Sequence, residues 1–306
     1  MTETELIQKL TAGLPGDSSV LTGPGDDCAV IELGGQKLLF KTDAIVEDIH
    51  FKGDAPPEKI GRKAMARALS DIAAMAGTPT HALVTLGMCE EHKHALIERI
   101  FIGLRDIAAE YNVNIVGGET TTLPKLTLSI SLLGTCPKPI LRNGSQSGDA
   151  LFVTGELGGS IARHHLEFIP RIKEAHWLAE HFNLHAMIDL SDGLATDLRH
   201  LLGNNLGAEI LTAALPIRRE AKLLAKESPS GKTSLLAALT DGEDYELLFT
   251  VAAKDAVALL DNWNLNFPET SLKCIGKITD KPGITLHDDK GARPLTLHGY
   301  DHLQQS

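Results

Sequence analysis

Apolar positions along this chain of 306 residues follow two rhythms that change over at turn-forming residues. A spacing of three to four runs through Ile60, Ala64, Ala68, Ile72 and Met75, predicting a helix opened by Pro56-Pro57 and closed by Gly77 and Pro79. The same rhythm predicts helices over 5–14, 92–111, 161–166, 171–181, 194–202 and 254–263, with one or two more between 217 and 239. Short apolar runs predict strands over 28–32 and 37–42, joined as a hairpin at Gly34-Gly35, and over 81–88, 113–116 and 125–136. Further strands are expected over 150–154, 186–190, 208–211, 245–251, 274–278 and 283–286. Residues 44–51 alternate, with Ile45, Ile49 and Phe51 on one face and Val46, Asp48 and His50 on the other, which predicts one more strand with a polar side. Strands and helices are mixed in both halves, so the expected class is α/β or α+β. Pro137-Lys138-Pro139 and the polar stretch Arg142–Gly148 suggest a joint between domains 1–138 and 139–306.

Composition narrows the functional class. The chain is 43% hydrophobic and 23% charged, as expected of a globular protein long enough for two cored domains. A net charge of −11 argues against nucleic acid as the main partner. The opening Met1-Thr2-Glu3-Thr4-Glu5 lacks the features of a secretory signal, and the longest uncharged apolar run, Leu126–Cys136, is too short to cross a bilayer. Cys28, Cys89, Cys136 and Cys274 lie far apart with no CxxC, so neither a zinc site nor a disulfide framework is expected. A cytoplasmic setting fits these features.

The chemistry lies in acids placed beside Gly, Ser or Thr at the ends of predicted elements. They are Gly25-Asp26-Asp27, Lys41-Thr42-Asp43, Ser70-Asp71, Gly117-Gly118-Glu119-Thr120, Asp189-Leu190-Ser191-Asp192-Gly193 and Gly242-Glu243-Asp244-Tyr245-Glu246. Singly, most have a plain explanation: Asp26-Asp27 suits a turn, Asp71 can pair with Arg67 one helical turn earlier, and Ser191-Asp192 can cap the helix from Leu194. Three acids around Tyr245 gain nothing obvious from folding. Jointly, so many carboxylates imply bound cations, because unpaired buried charge is costly, and Mg²⁺ typically takes a few carboxylates together with substrate phosphates. Gly231-Lys232-Thr233 is no P-loop, since Lys226 stands where the pattern needs Gly.

At these motifs the sequence resembles the thiamine-monophosphate kinases, of the superfamily that includes aminoimidazole ribonucleotide synthetase, selenophosphate synthetase and a hydrogenase-maturation dehydratase. The match also takes in Gly148-Asp149 through Gly155 and the terminal Gly299-Tyr300-Asp301-His302, in order over nearly the whole chain. The resemblance implies an N-terminal α/β domain that binds ATP and metal and dimerises through its sheets, with a C-terminal α/β domain closing the active-site cleft. It implies ATP-dependent phosphorylation of thiamine monophosphate to thiamine diphosphate by direct in-line transfer, with several Mg²⁺ ions, in a homodimer. By resemblance Asp27, Thr42, Asp43, Asp71, Glu119, Asp189 and Asp192 would hold metal, and Gly118, Glu119, Arg142 and Ser191 would touch ATP. His50, Glu243 and Tyr300 would contact the thiamine substrate, and no general base is needed because the accepting phosphate is already ionised. Three departures stand out: Glu119 where the family commonly has Asp, Lys41 where Ser or Thr is common, and a short segment after Gly158. At position 41 only the backbone carbonyl is then expected to reach a metal. A sister enzyme of the superfamily, or a non-catalytic nucleotide- or cation-binding protein, is the alternative.

Overall fold

The computed structural model describes residues 3–227 and 231–300. The chain divides into two compact units, one formed by Ser19–Pro139 with His165–Ile172, the other by the chain up to Ser18, Ile140–His164 and the chain from Lys173 onward. Helix α1 (Glu3–Thr11) belongs to the second of these.

Six strands of the first unit, β1 (Val20–Thr22), β2 (Ala29–Leu33), β3 (Gln36–Val46), β4 (Thr78–Met88), β5 (Asn114–Thr122) and β6 (Thr127–Thr135), form a sheet in the order β1-β2-β3-β6-β4-β5. Helix α2 (Pro57–Ala74) connects β3 to β4, and α3 (His94–Glu110) is the crossover between the parallel strands β4 and β5. One sheet face buries Leu39, Ile45, Val84, Leu86, Leu128, Ile130 and Leu132, and α2 buries Ile60, Ala64, Ala68 and Ile72. The two helices cross at glycines: a Cβ on Gly61 would lie 1.8 Å from the Ile100 carbonyl oxygen, and one on Gly103 would lie 1.8 Å from that of Glu58. Only glycine permits such backbone contact. With the sheet on one side and α3 on another, α2 is enclosed enough that Lys63, Ser70 and Asp71 are buried along with its apolar stripe. The opposite sheet face stays open, with Phe40, Leu83 and Val116 exposed by 46%, 48% and 61%.

The alternation over 44–51 does not make a separate strand. β3 continues to Val46, and the chain then turns through Asp48, whose φ is 67°. His50 Nδ1 accepts the Val46 amide at 3.0 Å, so a side chain takes the backbone hydrogen bond that a strand would have used.

In the second unit seven strands, β7 (Ala150–Thr154), β8 (Leu184–Asp189), β9 (Gly207–Leu211), β10 (Leu247–Val251), β11 (Leu272–Thr279), β12 (Gly283–Asp288) and β13 (Gly291–Pro294), form a sheet in the order β13-β12-β9-β11-β7-β10-β8. Its helices include α5 (Ile172–His181), α6 (Leu194–Leu202), α7 (Arg219–Glu227), α8 (Ser234–Thr240) and α9 (Ala256–Asn266), while α4 (His164–Glu167) falls almost wholly in the stretch His165–Ile172 of the first unit. Leu151, Val153, Ile188 and Leu248 share one core with Leu194, Leu198 and Leu201 of α6. Phe152 and Phe249, at the alternate positions of β7 and β10, stack with ring centroids 5.6 Å apart. Trp177 and Trp263 meet edge-on at 5.9 Å. Both faces of β7 and β10 are buried, as their unbroken apolar runs require.

Candidate active site

The acids of the first unit gather at one end of β3 and α2. Alternation along β3 puts Lys41 and Asp43 on the face toward α2, between the buried Leu39 and Ile45. Lys41 Nζ lies 2.9 Å from Asp71 Oδ1, near the end of α2, and 3.8 Å from Asp43 Oδ1. Arg67, one helical turn before Asp71, comes within 4.0 Å of Asp43 and donates to the Ala44 carbonyl at 3.0 Å. Asp27 is buried to 1% exposure in the turn before β2; its amide is taken by Asp26 Oδ1 at 2.9 Å, and the next amide, of Cys28, meets Met75 Sδ at 3.2 Å just past α2. Burial opposes the Lys41 charge, yet Asp71, Asp43 and Asp27 together hold its ammonium above the usual lysine range. Burial would likewise raise Asp43, but the charges of Lys41 and Arg67 outweigh it and keep that carboxyl below the usual range.

The other residues of this unit fall differently. Thr42 points to the opposite face of β3, where Ser131 Oγ donates to its hydroxyl at 3.2 Å, so its side chain is not among these acids. Glu119 is exposed on β5, and its carboxylate turns back on the Thr120 amide at 3.0 Å. Gly118 packs flat on β4, where a Cβ would stand 1.8 Å from the Val84 oxygen. His50 is fixed at both ends, with its ring on the Val46 amide and its carbonyl accepting from Lys63 Nζ at 2.5 Å. Lys41 is the main surprise here, since only its carbonyl was expected to matter and its side chain engages the acids instead.

In the second unit, Asp189 ends β8 and pairs in register with Leu247, the first residue of β10. The two acidic motifs are joined by backbone: the amides of Glu243 and Tyr245 donate to the Ser191 and Leu190 carbonyls at 2.7 and 2.8 Å, and Leu190 donates to Glu246 at 2.9 Å. Glu243 and Tyr245 have φ of 53° and 50°, a costly backbone for such residues. The Tyr300 amide donates to the Asp192 carbonyl at 3.0 Å, which brings this expected substrate residue beside the same loop. Asp301 and His302 of the terminal motif lie outside the described residues.

Two expectations are corrected here. Neither Ser191 nor Asp192 is the cap of α6; Gly193 holds that position, and the side chain of Asp197 reaches back to accept the Asp192 and Gly193 amides at 3.1 and 3.0 Å. Burial, then the charges of Asp192 and Asp189, push the Asp197 carboxyl well above its usual range despite Arg142 nearby. The acids flanking Tyr245 do gain from folding: Asp244 pairs with buried Arg218 at 2.8 Å and accepts the Gly158 amide at 3.0 Å, while Glu246 accepts from Thr154 at 2.7 Å. Arg218 also donates to the Gly158 carbonyl at 3.1 Å, which clamps the Gly-rich turn after β7. Arg218 was invisible as a partner because its 26-residue separation from Asp244 follows tertiary folding, whereas Asp197 is local, four and five residues past the amides it accepts, and was passed over for the nearer Ser191-Asp192.

Buried Asp27, Asp71 and Asp189 lie before β2, near the end of α2 and at the end of β8, and residues 25–136 match the family described as aminoimidazole ribonucleotide (AIR) synthase related protein, N-terminal domain. E. coli HypE, a hydrogenase maturation protein, shares the fold at a TM-score of 0.72 and 19% identity, over 96% of each chain. Within that class, the thiamine-monophosphate kinase of Rhodopirellula baltica is 40% identical over 276 residues, covering 87% of this chain and 85% of its own. That of Bacillus subtilis is 32% identical over 99% of this chain and 100% of its own. The solved structure of AaThiL complexed with AMPPCP and TMP superposes at a TM-score of 0.81 and 29% identity, covering 98% of this chain and 95% of that one. The chain belongs to the thiamine-monophosphate kinase family.

Proposed function

We infer that this chain transfers the terminal phosphoryl group of ATP to thiamine monophosphate, giving thiamine diphosphate and ADP. The observation that carries this is the match to AaThiL over nearly the full length of both chains, that protein being complexed with AMPPCP, an ATP analogue, and TMP. The nucleophile is a phosphate oxygen of thiamine monophosphate, ionised near neutral pH, so the protein's task is to position two polyanions and offset their charge.

The donor set suits a hard divalent cation such as Mg²⁺: Asp27, Asp71 and Asp189 present buried carboxylate oxygens, with no sulfur or imidazole among them. We propose Asp27, Asp43 and Asp71 of the first unit and Asp189 and Asp192 of the second as holders of several such ions. Glu119, exposed on β5, and Thr42, whose hydroxyl accepts from Ser131, complete the proposed set. Bound there, the ions would screen the phosphate charges. Gly118, Arg142 and Ser191 are proposed to meet ATP, and His50, Glu243 and Tyr300 the thiamine substrate. With Nδ1 accepting the Val46 amide, the neutral His50 ring carries its proton on Nε2. The open sheet face carrying Phe40, Leu83 and Val116 supports a homodimer through the first unit. No helix among the described residues is long and apolar enough to cross a membrane.

A coupled assay of ADP release with thiamine monophosphate, with thiamine, and with neither tests the activity. ADP release that does not depend on thiamine monophosphate would overturn it. Sedimentation of the parent and of Leu83→Glu tests the dimer, which the charge should disperse.

A further inference from the structure

Lys41 lies inside the acidic group of the first unit, at a position where the family resemblance led us to expect a short hydroxyl side chain. Its side chain is only 22% exposed, beside those of Asp43 and Asp71 at 18% and 9%. An ammonium is compact and strongly charged and, unlike a hydroxyl, supplies no ligand oxygen. A divalent ion placed to bridge Asp43 and Asp71 would therefore meet a like charge at close range. Asp43 also has Arg67 at 4.0 Å, so fixed cations already offset much of the charge on Asp27, Asp43 and Asp71.

We propose that Lys41 is a resident cation of this site: its ammonium, 2.9 Å from Asp71 and 3.8 Å from Asp43, does the work of one divalent ion, so the chain takes fewer ions than a relative with a neutral residue there. The proposal rests on the reading of these acids as holders of Mg²⁺. It has two consequences. The metal-free protein keeps its acids together without help. The metal requirement of the loaded protein is set by the remaining carboxylates.

The test uses the full chain, metal-free, as parent, Lys41→Met and Lys41→Arg. Mn²⁺ bound in the presence of AMPPCP is counted by electron paramagnetic resonance, and thermal midpoints are taken in EDTA and in Mg²⁺. Lys41→Met should bind about one more Mn²⁺ per chain than the parent. Its midpoint in EDTA should fall by roughly 6–10 °C, and Mg²⁺ should restore most of that loss while barely moving the parent. Lys41→Arg, which keeps the charge, should count as the parent does. Equal Mn²⁺ counts in parent and Lys41→Met would overturn the role of Lys41 while leaving the metal site standing. Absence of Mn²⁺ from both would overturn the metal reading and the proposal together. Should Lys41→Met not fold even in Mg²⁺, the parent decides alone: a rise of several degrees on adding Mg²⁺ without nucleotide contradicts a resident cation.

Discussion

In the first unit Asp43 and Asp71 lie against the side-chain cations of Lys41 and Arg67, whereas in the second Asp197 lies against the backbone amides of Asp192 and Gly193, with Asp192 and Asp189 adding like charge. The consequences run in opposite directions. Fixed cations keep the Asp43 carboxyl below the usual range, and burial among other acids pushes Asp197 above it. The first setting therefore favours the ionised form of Asp43, and the second favours a proton on Asp197. A buried acid thus says little by itself; what faces it decides its charge.

Breaking a fixed ion pair should have the largest effect. Arg218→Met leaves Asp244 buried beside the Gly158 amide with no guanidinium, and the unfolding free energy in urea should drop by about 3–5 kcal/mol. A loss below about 1 kcal/mol would mean the amide suffices. Asp71→Asn comes next: turnover should fall roughly 100-fold or more, since the lost carboxylate is one proposed to hold the cation that screens the phosphates. If kcat holds and only the thermal midpoint moves, Asp71 belongs to the fold and not to the chemistry.

A smaller effect concerns pH. Burial raises the Asp244 carboxyl to about 7, against the pull of Arg218. Because the folded protein then holds this proton where the unfolded chain has lost it, the contribution to stability is full below the ordinary carboxylate range and is lost as pH rises through about 7. Asp244→Asn removes that slope, so the variant should gain on its parent in thermal midpoint between pH 5 and 8; a gap that widens with pH has the wrong sign. The smallest change is expected from Arg67→Met, about 1 kcal/mol, because its approach to Asp43 is long at 4.0 Å and Lys41 remains. A loss as large as that of Lys41→Met would rank Arg67 as the main counter-ion.

The helical spacing of Ile60, Ala64, Ala68 and Ile72 and the apolar runs of β7 and β10 made most elements readable in advance, because each reports a local period. β5 was read too short: Gly117-Gly118 look like a stop, yet they continue a strand because β4 comes too close for a side chain at Gly118. The turn at Asp48 was missed because the His50 ring, three-dimensionally rather than by sequence rhythm, takes the Val46 amide. For the site, Asp27, Asp43, Asp71 and Asp189 stood out as residues, but their counter-charges did not. Lys41 lies 30 positions from Asp71 and Arg218 lies 26 from Asp244, separations that no periodicity encodes.

The glycine crossing of α2 and α3 has a mechanical side. Two helices touching main chain to main chain at Gly61 and Gly103 have no side-chain cushion to compress, so α2 behaves as a strut and not a spring. Asp71 is carried at the far end of that strut, three turns of helix past Gly61. If Asp71 holds an ion as proposed, its fit to ions of different radius would come from rotation of its carboxylate and from water, with little give in the helix beneath it.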